Sequence, residues 1–544
     1  MSVPSGDPRA RLAAPHTLSH SFEPLTPTAF LRRAARVHRD RPALVDGDRR
    51  LTYAELERRT LGLAGSLAAR AEQGERVAVL ATNSSVLLEA HYAVPFAGAV
   101  MVPLNHRLAV PELSYILEHS RATLLLCDEG LSARGEEVAA ALGGGLEVVV
   151  EGEGYEQLVA AGEGFEPEPP QETGLLSLNY TSGTTGRPKG VMYHHRGAYL
   201  QALAMAWHAR LEPGSRFLWT LPMFHCHGWC FTWAVTAAGG THVCLRETQP
   251  KAIWAAIESE SITHLNAAPT LLLSIAATAP SLVAHRATSE GVPPIRVATG
   301  GAPPTPTLLA ELAELGIEVT HLYGLTETFG PVAICEWKPE WDALPGERRA
   351  ALKARQGVGN LIAEPLRVLN AEDADVPADG ETVGEVAVRG NDVMLGYYED
   401  PEATNAALRG GLFHTGDLGV MHPDGYVELR DRAKDVIVSG GENVSSVELE
   451  AALASHPAVF EVAVVPAPHP RWGERPVAYV VLRPGQSAAA EDLNAHVRER
   501  LAGFKAPDAY EFRAELPKTA TGKVRKFVLR DEAKALQLDQ SPSC

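Results

Sequence analysis

The sequence predicts an α/β protein, with a large N-terminal domain of layered, mainly parallel sheets and helices and a small α+β C-terminal domain. Three observations carry this. At 544 residues the chain exceeds what one hydrophobic core supports, so at least two domains are expected. From about residue 25 to 430, short apolar runs alternate with longer amphipathic segments, the pattern of strands joined by helical crossovers. After Arg430 a charged segment, Asp431-Arg432-Ala433-Lys434-Asp435, precedes a compact stretch with strands and helices of its own, which reads as a separate domain on a short linker.

Residues 1–24 carry Pro4, Pro8 and Pro15 around Asp7 and no apolar h-region. They are expected to be a poorly ordered leader rather than a signal peptide. The large domain is placed at 25–431, a hinge at 432–436 and the small domain at 437–540. Runs at 76–82, 123–128 and 146–150 are short, apolar and bounded by Gly or charge, as buried strands are. Helical patterns at 53–70 and 111–120 lie between them. Further strands are expected at 217–221, 241–245, 262–266, 295–299 and 319–322. In the small domain, strands are expected at 460–466 and 477–482 and helices at 447–455 and 491–501. Ser445-Ser446-Val447-Glu448 reads as a capping box opening the first of those helices. Several strands run straight into Gly- or hydroxyl-rich loops, where ligands of open α/β sheets sit.

Lys plus Arg number 49 against 67 Asp plus Glu, a formal charge of −18. That balance argues against nucleic acid as a partner, since phosphate-backbone binding needs a basic surface. No stretch approaches 18 uncharged apolar residues, so no transmembrane segment is expected. The six cysteines are scattered, as reduced thiols in a cytoplasmic protein are. His225, Cys226, His227 and Cys230 lie close enough to suggest a metal, but no second ligand pair at zinc spacing accompanies them.

The strongest local signal is Tyr180-Thr181-Ser182-Gly183-Thr184-Thr185-Gly186-Arg187-Pro188-Lys189-Gly190. Its glycines let the backbone turn tightly and expose successive N–H groups, and its hydroxyls add donors, which suits a polyphosphate. It is not a Walker A loop, because Gly-x-x-x-x-Gly-Lys-Ser/Thr is absent. The segment resembles the signature loop of the adenylate-forming superfamily, which includes acyl-CoA synthetases, luciferases and peptide-synthetase adenylation domains. Further segments resemble that family's motifs in the same order: Gly300-Gly301-Ala302-Pro303, Tyr323-Gly324-Leu325-Thr326-Glu327-Thr328, Thr415-Gly416-Asp417, the charged linker with Ser439-Gly440-Gly441-Glu442-Asn443, and Leu516-Pro517-Lys518-Thr519-Ala520-Thr521-Gly522-Lys523.

The resemblance implies a site for each substrate. ATP or AMP would meet Thr181, Ser182, Gly183, Thr184, Thr185, Gly186 and Lys189, then Gly301, Ala302, Pro303, Tyr323, Gly324, Asp417 and Arg432. Tyr323 would stack on adenine and Asp417 would hold the ribose hydroxyls. Thr326, Glu327 and Lys523 would be catalytic, with Glu327 and Thr184 holding Mg2+. Lys523 would offset the repulsion between a carboxylate and the α-phosphate. In the resembled family the small domain rotates between half-reactions, here about Lys434, and Gly440 and Gly441 with His225 would then line a coenzyme A channel.

His225, Trp229, Gly300 and Gly324 would form the acyl pocket. Amino-acid-activating relatives place an aspartate in the region of 224–231, where this chain has none, so a substrate without an ammonium group is expected. Gly324 stands where acetate-activating relatives carry a tryptophan, which favours a longer acyl tunnel. Trp229 either gates that tunnel or packs as a core aromatic. The implied activity is a medium- to long-chain fatty acyl-CoA ligase using ATP, Mg2+ and coenzyme A; an aryl-CoA ligase and a catalytically inactive homologue are the alternatives. A small-molecule acid, ATP and coenzyme A are the expected partners, and a homodimer is left open.

Overall fold

The computed structural model describes residues 23–536, apart from 182–187, 280–292, 301–303, 305, 433–434, 440–441, 470–471 and 520–521. The side chains of 306, 307, 347, 432, 438, 442, 443 and 504 also lie outside the described set.

Two large sheets form the body of the N-terminal domain. One has six strands in the order Glu147–Val150, Leu124–Cys127, Arg76–Leu80, Val100–Pro103, Leu175–Thr181, Lys189–His194. All its pairings are parallel except the last, an antiparallel hairpin that closes the phosphate loop. The other has nine strands, with a parallel centre from Ile317–Leu325 through Ile295–Thr299, His264–Asn266, Arg216–Leu218 and Thr241–Val243 to Pro42–Asp46. Antiparallel strands finish both its edges. Helices pack between and outside the sheets because their apolar stripes have nowhere else to go. The largest core runs continuously from Leu31 and Tyr53 through Trp219, Phe231 and Trp233 to Tyr323 and Phe329.

The expected strands all form, with ends shifted by a few residues, and helices cover Tyr53–Ala68 and Val110–Ser120. As expected, the sheets of the large domain are mainly parallel, their parallel strands ending at about residue 325. Beyond it, Arg367–Leu369, Val383–Val388, Phe413–Met421 and Val427–Arg432 form a wholly antiparallel sheet.

The small domain has a five-stranded sheet built on the long hairpin Val459–His469 and Gly473–Leu482, with Ala509–Phe512 parallel at one side. Its two apolar clusters contain only residues from Ile437 onward, so it buries a core of its own. Helices Ser446–Ala454 and Ala490–Arg498 fall where expected. Ser445 caps the first, its Oγ accepting from Glu448 N at 3.2 Å. The carboxylate of Glu448 instead pairs with Lys505.

Candidate active site

The expected nucleotide side is built from two strands in different sheets. Tyr323, near the end of Ile317–Leu325, donates its phenol to Asp417 Oδ2 at 2.7 Å. Asp417 sits in Phe413–Met421, 4% exposed, and pairs across the ladder with Arg432. The two residues expected to hold adenine and ribose therefore touch. Arg432 is the last residue of the strand Val427–Arg432; its side chain lies outside the described residues.

Thr326-Glu327-Thr328 forms a single 3-10 turn after Tyr323. Thr328 is structural: its hydroxyl accepts from Leu325 N and donates to Gly330 O at 2.7 Å. Thr326 accepts the Cys226 thiol at 3.6 Å, and its carbonyl takes the Tyr193 phenol. Glu327 Oε1 accepts a hydrogen bond from Tyr397 at 2.9 Å. Lys189 lies 4.8 Å above the Tyr397 ring and 3.4 Å from Asp400. Tyr397 is a functional residue that motif reading missed; only its place in an apolar, Gly-punctuated run hinted at burial. Ser182, Gly183, Thr184, Thr185 and Gly186 lie outside the described residues, as do Gly301, Ala302 and Pro303. Thr181 and Lys189, at the loop's two ends, are paired in register.

The acyl side rests on an unusual backbone. Cys226, His227, Gly228, Trp229 and Cys230 have φ of +49°, +52°, +57°, +58° and +62°, a full left-handed turn closed by Cys230 N donating to Cys226 O. Each non-glycine residue in this region costs about 1–2 kcal/mol, so the surroundings must hold it. They do. A Cβ on Gly228 would lie 2.3 Å from the Trp219 ring. His227 Nε2 is bonded to Ser177 at 2.6 Å and Asn179 at 3.0 Å. The Cys230 thiol donates to Phe329 O. His227 and Cys230, two of the four residues that suggested a metal, thus bond within the protein and help fix the turn.

Trp229 is 9% exposed. Its ring atom Cη2 is 3.4 Å from where a Gly300 Cβ would stand, and its Cδ1 is 3.0 Å from the same position on Gly330. Gly300 and Trp229 are therefore neighbours, as expected. Gly324 is a correction. A side chain there would meet Gly330 O at 1.8 Å, because Ile317–Leu325 and Gly330–Ile334 pair closely with a bulge at Tyr323/Gly324. The glycine serves strand approach; it does not open a tunnel.

From the small domain, the loop before Lys523 docks on the large one. Thr270 Oγ1, at the start of Pro269–Ala277, donates to Gly522 O at 3.2 Å, and Gly522 takes φ +81°. Lys523 is near enough to His225 to act on it: burial first, and then the ammonium, push that imidazole down to about 4. His225 is therefore neutral at pH 7. Thr270 carried no sequence signal. Lys434, Gly440 and Gly441 lie outside the described residues.

The layered α/β body with its small second domain thus brings Tyr323 onto Asp417, Tyr397 onto Glu327, and Gly522 of the small domain onto Thr270. The chain belongs to the AMP-binding enzyme family: residues 31–398 match that family and residues 448–523 its C-terminal domain. It is 41% identical to an acetate–CoA ligase of Humulus lupulus, over 95% of this chain and 96% of the relative. It is 39% identical to a peroxisomal trans-cinnamate:CoA ligase of Petunia hybrida, over 95% of both chains. Among solved structures, ATP-bound MatB from Rhodopseudomonas palustris is similar, with TM-score 0.82, 27% identity and coverage of 93% of this chain and 99% of that one. The protein is an ATP-dependent acid–thiol ligase.

Proposed function

We propose that this ligase adenylates a short-chain carboxylic acid and passes the acyl group to coenzyme A. The observation that carries the size class is Trp229, fixed on a left-handed turn and packed against both Gly300 and Gly330. That wall shortens any pocket behind Tyr323. The medium- to long-chain reading rested on Gly324, whose missing side chain is accounted for by the Gly330 backbone. A second reading, an aryl acid of cinnamate size, is favoured by the cinnamate-activating relative.

In the first half-reaction a carboxylate oxygen attacks the α-phosphorus; the new O–P bond forms as the bond to pyrophosphate breaks. Lys523 sits between the two anions and stabilises the charge that builds there. Tyr323 and Asp417 hold the nucleoside, and Thr326 lies in the turn that carries Glu327. The donor set fits Mg2+: one carboxylate, Glu327, oriented by Tyr397, suffices for an ion that keeps its waters and phosphate oxygens. When bound, Mg2+ would neutralise phosphate charge. In the second half-reaction the thiol sulfur attacks the acyl carbon and the bond to AMP breaks. His225, too weakly basic at about 4 to deprotonate a thiol outright, accepts its hydrogen bond. No helix among the described residues is long and apolar enough to cross a membrane, and we place the protein in the cytoplasm.

Purified protein with ATP, Mg2+ and acetate, butyrate, octanoate or trans-cinnamate tests this. Pyrophosphate release with butyrate or acetate well above octanoate is expected. Octanoate as the best acid would overturn the size class, and no release with any acid would overturn the ligase reading.

A further inference from the structure

The polypeptide passes from the large to the small domain between Asp431 and Asp435, and both flanks are gripped by the small domain. On the far side, Asp435 is paired with Arg530. On the near side, Ser446 donates its backbone N–H to Asp431 Oδ2 at 2.6 Å and its hydroxyl to Oδ1 at 3.1 Å. Ser445 Oγ donates to Arg430 O at 2.6 Å. Arg430 and Asp431 lie in Val427–Arg432, whose register places Asp431 opposite Leu418 and Arg432 opposite Asp417. Ser445 and Ser446 open the first helix of the small domain.

Behind Ser446 stands Lys526. Its Nζ donates to Ser446 Oγ at 2.6 Å and pairs with Glu450 at 2.7 Å. Burial alone would lower its pKa; the carboxylates of Glu450 and Asp431 outweigh that and raise it. Lys526 and Arg530 are four apart in Lys526–Ala533, so they share one helix face, and that helix begins three residues after Lys523.

These contacts fall into two groups. Lys526 with Ser446 and Glu450, and Asp435 with Arg530, all lie beyond the linker and travel with the small domain. Asp431 with Ser446, and Arg430 with Ser445, span the linker. A large rotation about it separates them, because hydrogen bonds of 2.6–3.1 Å tolerate little change in distance or angle. They coexist with Gly522 docked on Thr270.

We infer that Asp431 and the Ser446–Lys526 pair form a latch that holds the small domain in the state with Lys523 at the site, making Lys526 a positioning residue for adenylation. The inference rests on the proposed ligase function, with the small domain taken to rotate about the linker between its two half-reactions. Opening the latch is required for the thiol half-reaction and closing it for the ATP half-reaction, so the same bond acts on the two halves in opposite senses.

The test uses the full chain with Asp431→Asn, Ser446→Ala and Lys526→Met, and Glu450→Gln as comparison. Adenylation, followed as pyrophosphate release, is expected to fall about ten-fold in the first three, the weight of a hydrogen bond to a charged group. Thioester formation from supplied acyl-adenylate should hold or rise. Glu450→Gln, which withdraws the ion pair behind Lys526, should shift the ratio of the two halves in the same sense as Lys526→Met but less. Equal loss of both halves in Ser446→Ala, the mildest change, would overturn the latch. Hydrogen exchange gives a readout independent of turnover: in Asp431→Asn the amides of 268–272 and 522–523 should exchange faster than in wild type. Unchanged exchange there overturns the latch even if the ligase reading stands. Wild-type protein that turns over no acid, yet shows faster exchange in the variant, would reject the ligase reading and keep the latch.

Discussion

Tyr323 and Asp417 meet across two sheets from ordinary extended strands, joined by one 2.7 Å hydrogen bond. Trp229, across the same site, stands on five consecutive positive-φ residues held by buried partners on every side. The nucleotide wall is relaxed and reads from local sequence; the acyl wall is strained and depends on distant packing. Strain of this kind persists only where its surroundings over-determine it. The acyl wall is therefore the part expected to fail first and to be altered most easily.

Acid should separate the walls with the largest effect. Three fully buried histidines pack behind the left-handed turn: His91 and His227 with rings 4.9 Å apart, and His242 bonded to Trp219 and Thr236. Burial lowers His91 to about 4, His242 to about 3 and His227 well below its usual value. Between about pH 6.5 and 4 the unfolded chain binds more protons than the folded one, so stability falls as pH falls through that window. Each group contributes about 1 kcal/mol per pH unit. Denaturant titration at pH 7 and pH 5 should show a loss on the order of several kcal/mol. Equal stability at the two values would mean these rings are not held neutral.

Lys523→Ala comes next, acting on the nucleotide wall. Adenylation should drop roughly 10²–10³-fold, with thioester formation from supplied acyl-adenylate nearly intact. Equal loss of both halves would contradict its assignment to the first.

Trp229→Leu alters the acyl wall with the fold kept. Each methylene the new space accepts is worth about 0.8 kcal/mol, so kcat/KM for octanoate over butyrate should rise about fourfold per accepted carbon. If the ratio stays flat, Trp229 is a packed aromatic and the pocket ends elsewhere.

The uneven legibility of the sequence follows the same division. Ile295–Thr299 reads directly as a strand from the sequence, whereas Tyr323, Glu327, Asp417 and Lys523 are legible only through the family motifs that contain them. Gly324 was misread because the Gly330 backbone that excludes its side chain is known only once the strands are paired. The turn at 226–230 was invisible, since nothing in Cys-His-Gly-Trp-Cys announces φ > 0 at its four non-glycine positions. Ser177, Asn179, Trp219 and Phe329, each far along the chain, impose it.

The smallest effect tests how the nucleotide wall is tuned. Tyr397→Phe removes the hydroxyl 2.9 Å from Glu327 Oε1 and leaves the ring on which Lys189 rests. A single hydrogen bond of this kind contributes about 1 kcal/mol, so the Mg2+ concentration for half-maximal pyrophosphate release should rise about fivefold. KM for the acid should stay fixed, because Tyr397 acts through the carboxylate and not on the acyl pocket. A rise in both would mean that Tyr397 shapes the whole turn at Thr326–Thr328. No change in either would mean that Glu327 is oriented without it, and the relaxed wall would then owe its geometry to the strands alone.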